Sequence, residues 1–216
     1  AERSLQAVIP TKESFPYTIR LESNITESNG SSSMASICGG CLAMMSGGVP
    51  ITRPISGIAM GLILEGSDYA ILSDILGVED ALGDMEFKIA GDKDGITDFQ
   101  LDIKVEGITH DIMRAALMQA REGRIHILQK MLDVLPESQK ELSKYAPKID
   151  GMQIKPSKIG TVIGPKGKQI QAIAEETGVE VNIDDDGFIS LTSMSAEGIE
   201  RAKEIIFNLT AEVEEG

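Results

Sequence analysis

Histidine and cysteine are scarce in this chain of 216 residues, and positive charge is outnumbered. The only cysteines are Cys38 and Cys41, and the only histidines are His110 and His126. The cysteines form a C-x-x-C inside an Ala- and Met-rich stretch with helical spacing. A zinc site needs further ligands, and both histidines lie in a different segment. A redox pair needs an exposed, activated thiol. Two small buried helix residues are therefore expected. No apolar run approaches the roughly 20 residues that cross a bilayer, which excludes a transmembrane helix. The opening residues Ala1-Glu2-Arg3-Ser4 show no initiator Met, basic leader or apolar signal, so a cytoplasmic protein, or a piece of one, is expected. The formal net charge is −14. Phosphate repels an acidic surface, so any nucleic-acid contact must rest on local basic clusters.

What remains is a well-cored globular composition, 42% apolar and 25% charged. The length suits one large domain or two ordinary ones. Alternation predicts a strand over 15–26, broken at Glu27-Ser28-Asn29-Gly30. Ser31-Ser32-Ser33 then opens a helix over about 32–47, ended by Gly47-Gly48. A hairpin is predicted at 56–65 and 68–73. Residues 74–83 read as a polar, turn-rich connection. Strands follow at 84–90 and 98–106. In the first, Met85, Phe87 and Ile89 face one way and Asp84, Glu86 and Lys88 the other. In the second, Phe99, Leu101, Ile103 and Val105 share a face. A long helix is predicted at 109–133, with Ile112, Ala116, Leu117, Ala120, Ile125, Leu128, Met131 and Leu132 on its buried stripe.

The polar segment 136–147, with Pro136 and Pro147 at its ends, reads as a linker between a domain at 1–135 and one at 148–213. The second domain restarts the pattern on a smaller scale: a strand at Met152-Gln153-Ile154, helices at 158–163 and 168–177, strands at 179–183 and 187–192, and a helix at 195–212. Between its first two helices stands Gly164-Pro165-Lys166-Gly167. Two glycines let backbone approach a nucleic-acid strand without Cβ clashes, and the loop runs into a helix N-terminus that favours phosphate. Lys155, Lys158, Lys166 and Lys168 cluster in one short window. A plain helix-ending turn is the alternative for the loop taken alone. The β-α-loop-α-β-β-α order with this loop resembles a KH domain, over roughly 147–212. The resemblance implies contact with single-stranded RNA through Lys158, Gly164, Pro165, Lys166, Gly167 and Lys168. An apolar groove would be lined by Ile159, Ile163, Ile170 and Val181. Only Phe188 and Phe207 are aromatic there, so weak base stacking and low sequence preference are expected.

The first domain has its own constellation. Gly30 and three hydroxyls at a strand-to-helix junction suit an oxyanion, although ordinary capping would need only one serine. Asp80, Asp84, Glu86 and Lys88 suit a divalent cation with a neutralising lysine, although a solvated strand face is the plainer reading of that group alone. The stretches Phe15–Arg20, Glu27–Ser36, Gly57–Leu62, Leu72–Gly77 and Gly83–Gly91 together resemble the second ribonuclease-PH-like core of the bacterial polynucleotide phosphorylase family. The fold expected is therefore α+β, a ribonuclease-PH-like mixed sheet-and-helix core followed by a KH domain.

That resemblance implies a phosphate-dependent 3′→5′ exoribonuclease that releases nucleoside diphosphates and runs in reverse to make RNA. It places the attacking inorganic phosphate on Ser31, Ser32 and Ser33. It places the metal, Mg2+ with Mn2+ as the alternative, on Asp80 and Glu86, with Lys88 as their basic partner. It implies a homotrimeric ring, and a parent chain with a first core and a C-terminal OB-fold domain that these residues lack. A basic segment carrying substrate-binding arginines and a histidine is also absent, so the chain reads as a fragment expected to bind RNA with little catalysis by itself. The family has Asp where this chain has Glu86. That departure keeps open a second reading, a non-catalytic RNA-binding or ring-scaffold protein of the same fold.

Overall fold

The structure is a computed structural model, and it describes residues 1–12, 14–143 and 145–211. The chain divides into two compact units, Ala1–Leu142 and Ser143–Gly216.

The first unit is built on a four-stranded antiparallel sheet of order β2-β1-β3-β4. Its strands are β1 (Ser56–Glu65), β2 (Asp68–Ser73), β3 (Met85–Gly91) and β4 (Ile96–Ile103). Helix α1 (Glu2–Gln6) comes first in the chain, and α2 (Ser32–Ser46) packs on one face of the sheet. The other face takes α4 (His110–Val134), which follows the two-turn helix α3 (Gly77–Leu82) in sequence. Alternation decides which residues go where. Met85, Phe87 and Ile89 of β3 join Ile58, Met60 and Leu62 of β1 beneath Ile112, Ala116 and Ala120 of α4. Each such buried Ile, Leu, Met or Phe side chain contributes roughly 1.5–3 kcal/mol. On the other face, Ile37, Cys41, Met44 and Met45 of α2 pack with Ile55 and Ala90. Here β1 carries Gly57, where an added Cβ would lie 2.8 Å from Met34 Sδ. The glycine lets the start of α2 lie close on the sheet.

Four expectations are corrected. Residues 15–26 form no strand. Their alternation is real, but none of the described residues pairs with them in a ladder. The connection after β2 is not all turn. Glu79 Oε2 accepts the Leu76 N–H at 2.7 Å, and Asp80 N–H donates to Leu76 O at 2.9 Å, closing the first turn of α3. The apolar face of β4 is not buried: Ile96, Phe99, Leu101 and Ile103 are all more than a third exposed. The strand lies at the sheet edge, beyond the cover of α4, and Val105 lies outside it. On α4 Arg124 joins the buried residues, whereas Leu117, Ile125 and Leu132 of the predicted stripe are half-buried. Arg124 Nη1 donates to Asp92 O, and its charge faces the Asp92 carboxylate, which also pairs with Arg53. Burial alone would raise the Asp92 pKa. Two backbone N–H groups at 2.7 Å, from Asp94 and Gly95, and the two arginines outweigh it and hold the carboxyl below its usual range.

The second unit has a three-stranded antiparallel sheet of order β5-β7-β6. It comprises β5 (Lys148–Gln153), α5 (Ile159–Ile163), α6 (Lys168–Thr177), β6 (Glu180–Ile183), β7 (Phe188–Ser193) and α7 (Ala196–Thr210). Ile154, Val162, Ile173, Ile189, Leu191, Ile199, Ala202 and Ile206 close a separate core. The predicted helix over 158–163 begins as a single 3-10 turn, Pro156–Lys158, because Pro156 can start a turn but cannot donate an N–H. Of the linker predicted at 136–147, residues up to Leu142 belong to the first unit. Gln139 N–H donates to Met45 O there at 2.9 Å.

Candidate functional site

Four pieces of the first unit converge on one cavity of about 210 Å³. It is lined by Gly30, Ser31, Ser32, Ser33, Ile75, Leu76, Gly77, Asp80, Glu86 and Lys88. The six residues singled out from sequence therefore share one site, although they are spread over nearly 60 positions of chain. Each arrives for a local reason. Ser31 caps α2, its Oγ accepting the Met34 N–H at 3.4 Å, and lies 3.1 Å from Ser33 Oγ. Glu86 and Lys88 are two apart on β3, so both rise from the face opposite Phe87. Their β1 neighbours are Gly61 and Ala59; over Gly61 packs Ile75 of the cavity lining, whose Cγ2 would lie 2.9 Å from an added Cβ. Lys88 Nζ is ion-paired with Glu86 Oε1. Asp80 comes from α3. Gly77, at the start of that helix, donates its N–H to Asn29 O at 3.3 Å, tying α3 to the loop before α2.

Asp84 does not line the cavity. Its Oδ2 accepts the Leu64 N–H at 2.6 Å, which ties β3 to the β1–β2 hairpin. Lys104, which no pattern had marked, is joined to Asp80. Its Nζ donates to the Asp80 main-chain oxygen and lies 3.1 Å from Asp80 Oδ1.

Among the described residues no group of three or more His, Cys, Asp or Glu side chains is placed to hold a metal ion. Two carboxylates with hydroxyls beside them still fit a hard cation such as Mg2+, which keeps waters and substrate oxygens and needs one or two protein carboxylates. The C-x-x-C fits neither metal nor redox use. Cys38 Sγ accepts the Gly57 N–H and Cys41 Sγ the Ile55 N–H, and burial pushes both thiols up. A larger cavity of about 850 Å³, between α1, residues 19–25 and α2, is lined mainly by apolar side chains and contains none of these groups.

In the second unit, Gly164 (φ 71°, ψ 175°), Lys166 (φ 54°) and Gly167 (φ 76°) all have positive φ. At Gly164 an added Cβ would also fall 2.5 Å from Gln169 Cβ. Pro165, Lys166 and Lys168 are exposed, whereas Lys158 is half-buried. Gly167 caps α6 with no side-chain bond to its leading N–H groups. Ile159, Ile170 and Val181 are half-buried and Ile163 is 37% exposed, so the predicted groove residues all reach the surface.

The first unit is a mixed sheet-and-helix core, and the second has the β-α-α-β-β-α order of a KH domain. Residues 149–208 match the KH domain model, and residues 1–50 match that of the 3′ exoribonuclease family, domain 1. All 216 residues align with the polyribonucleotide nucleotidyltransferase of Protochlamydia amoebophila at 67% identity and with that of Chlamydia abortus at 62%. The chain spans 31% of the length of those relatives. A crystal structure of rice Rrp46 overlaps half of each chain at 16% identity and a TM-score of 0.43, too slight a likeness to argue from.

Proposed function

We propose that the chain is the phosphorolytic segment of a polyribonucleotide nucleotidyltransferase, acting on single-stranded RNA from the 3′ end. The observation that carries this reading is the convergence of Ser31, Ser32, Ser33, Asp80, Glu86 and Lys88 on one small polar cavity. The first N–H groups of a helix have no intrahelical acceptor. Ser31 Oγ takes that of Met34, which leaves the Ser32 and Ser33 N–H groups and the Ser32 hydroxyl for inorganic phosphate, with the Ser33 hydroxyl paired to Ser31 Oγ beside them. An oxygen of that phosphate attacks the phosphorus of the terminal phosphodiester. The P–O3′ bond breaks, the 3′ oxygen takes up a proton, and a nucleoside diphosphate leaves. The reverse step extends the RNA. Asp80 and Glu86 would hold a divalent cation, Mg2+ or alternatively Mn2+, which supplies charge neutralisation at the phosphoryl oxygens when bound. Lys88, held by Glu86, offers its ammonium to the same developing charge. Such catalysis is largely positioning and charge stabilisation.

The KH unit would grip single-stranded RNA through Pro165, Lys166, Lys168 and the backbone of Gly164 and Gly167, with Lys158 beside them. The family resemblance implies a working protein with a first core, an OB-fold domain and a homotrimeric ring, in the cytoplasm. The Glu in place of the family's Asp does not favour the scaffold reading, because Glu86 lines the cavity and pairs with Lys88. The test uses a full-length protein carrying these residues, with RNA, phosphate and Mg2+. Phosphate-dependent release of nucleoside diphosphates, abolished by Asp80→Asn, is expected. Release of monophosphates, or equal activity without phosphate, sinks the proposal.

A further inference from the structure

The candidate site holds two carboxylates, and each carries a lysine. Glu86 has Lys88, two residues along the same strand. Asp80 has Lys104, which comes from the segment just after β4. The placement of Lys104 is built rather than incidental. Its own N–H donates to Asp84 O at 2.9 Å, which fixes its backbone beside the start of β3. Its ammonium then bridges two oxygens of one residue, the main-chain O and the Oδ1 of Asp80. The main-chain bond takes up a carbonyl near the C-terminal end of α3, where helix carbonyls lack intrahelical partners. The side-chain bond restricts the carboxylate to one orientation. Both members are only partly exposed, at 31% for Lys104 and 42% for Asp80, so solvent does not fully screen the charge.

We infer that Lys104 is a positioning residue of the site, which orients Asp80 and by its charge weakens the hold of Asp80 on a divalent cation. This rests on the reading of Asp80 as a cation-binding carboxylate. A divalent ion bound there meets an ammonium within one side chain's reach, and like charges at that distance repel. The same ammonium keeps α3 and its carboxylate in register, so that a modest affinity goes with a fixed geometry. Lys104 is therefore set against Asp80 as Lys88 is set against Glu86, from a different part of the chain.

The test measures Mn2+ binding by the loss of the free-ion electron paramagnetic resonance signal, in a full-length protein carrying these residues. Lys104→Met is expected to tighten the Asp80-dependent Mn2+ class about fivefold, the scale of a partly exposed charge pair. It is also expected to broaden the bound-ion signal, because the carboxylate is no longer held. Lys104→Arg keeps the charge and is expected to stay within about twofold of the parent. A merely structural lysine predicts the opposite for Lys104→Met, weaker binding with lower melting temperature. Unchanged or weakened Mn2+ affinity in Lys104→Met, while Asp80→Asn abolishes the class, overturns the inference and leaves the site assignment standing. Retention of the class in Asp80→Asn removes both.

Discussion

Two glycines of the KH loop look equivalent in sequence, and the structure makes them unequal. Gly164 sits at φ 71° and ψ 175°, a region that only glycine populates freely. A Cβ there would also meet Gln169 Cβ at 2.5 Å and Gln169 N at 3.0 Å. Backbone strain costs about 1–3 kcal/mol, and overpacking against a fixed backbone costs about 1–3 kcal/mol more. Gly164→Ala is thus expected to destabilise the second unit by roughly 2–6 kcal/mol, a large share of the ~5–15 kcal/mol that holds a domain together. Gly167 sits in the left-handed helical region at φ 76° and ψ 9°, with open space around its Cβ position. Gly167→Ala meets only the left-handed penalty of about 1–2 kcal/mol, and Gly167→Asn less. The readout is native-state amide exchange at buried Ile173, which reports opening of this unit without requiring the whole chain to unfold in one step. Exchange at Ile173 should rise about tenfold or more further in Gly164→Ala than in Gly167→Ala. Equal effects, or a larger one at Gly167, would refute the claim that position 164 is limited by contact as well as by φ.

Two further outcomes follow from the same structure. Lys166→Gln with Lys168→Gln should lower affinity for single-stranded RNA similarly across sequences, and reduce the slope of log K against log salt by about 1.4, at ~0.7 per lost contact; a filter-binding salt series measures this, and an unchanged slope removes both lysines from the phosphate path. Asp92→Ala leaves Arg124, only 2% exposed, without its counter-charge, and should cost about 3–5 kcal/mol at pH 7 in denaturant melts of the first unit. Because the Asp92 carboxyl is held below its usual range in the folded chain, its stabilisation is present above about pH 4 and is lost as pH falls through that lowered value. The gap between parent and Asp92→Ala should therefore narrow on acidification; a gap that widens contradicts the sign.

The buried stripes were legible because burial follows period. Met85, Phe87 and Ile89 against Glu86 and Lys88 declare both the strand and the face that meets the site, and Ser31 declares the start of α2. The KH unit was legible as an order of short elements around one loop. What stayed hidden depends on partners distant in sequence. Residues 15–26 alternate like a strand, but a strand exists only with a neighbour, and alternation carries no information about one. Helix α3 is too short to show a period, and its first turn is closed by the Leu76 N–H donated to Glu79 Oε2 and the Asp80 N–H donated to Leu76 O. Arg124 is buried on α4 only because Asp92 meets it from the β3–β4 turn, a partner that the helical period does not reveal. Lys104 meets Asp80 across 24 residues, and its alternation with Leu101 and Ile103 marks it only as another solvent-facing lysine.

A phosphorolytic centre at Ser31, Ser32, Ser33, Asp80, Glu86 and Lys88 must transfer inorganic phosphate to the released nucleotide. The direct measurement supplies radiolabelled inorganic phosphate, Mg2+ and an unlabelled single-stranded RNA to a full-length protein carrying these residues, then follows the label. Label is expected in the β-phosphate of released nucleoside diphosphates, and is expected to be lost in Asp80→Asn with RNA binding retained. Unlabelled nucleoside monophosphates as the product, or labelled diphosphates undiminished in Asp80→Asn, would contradict it.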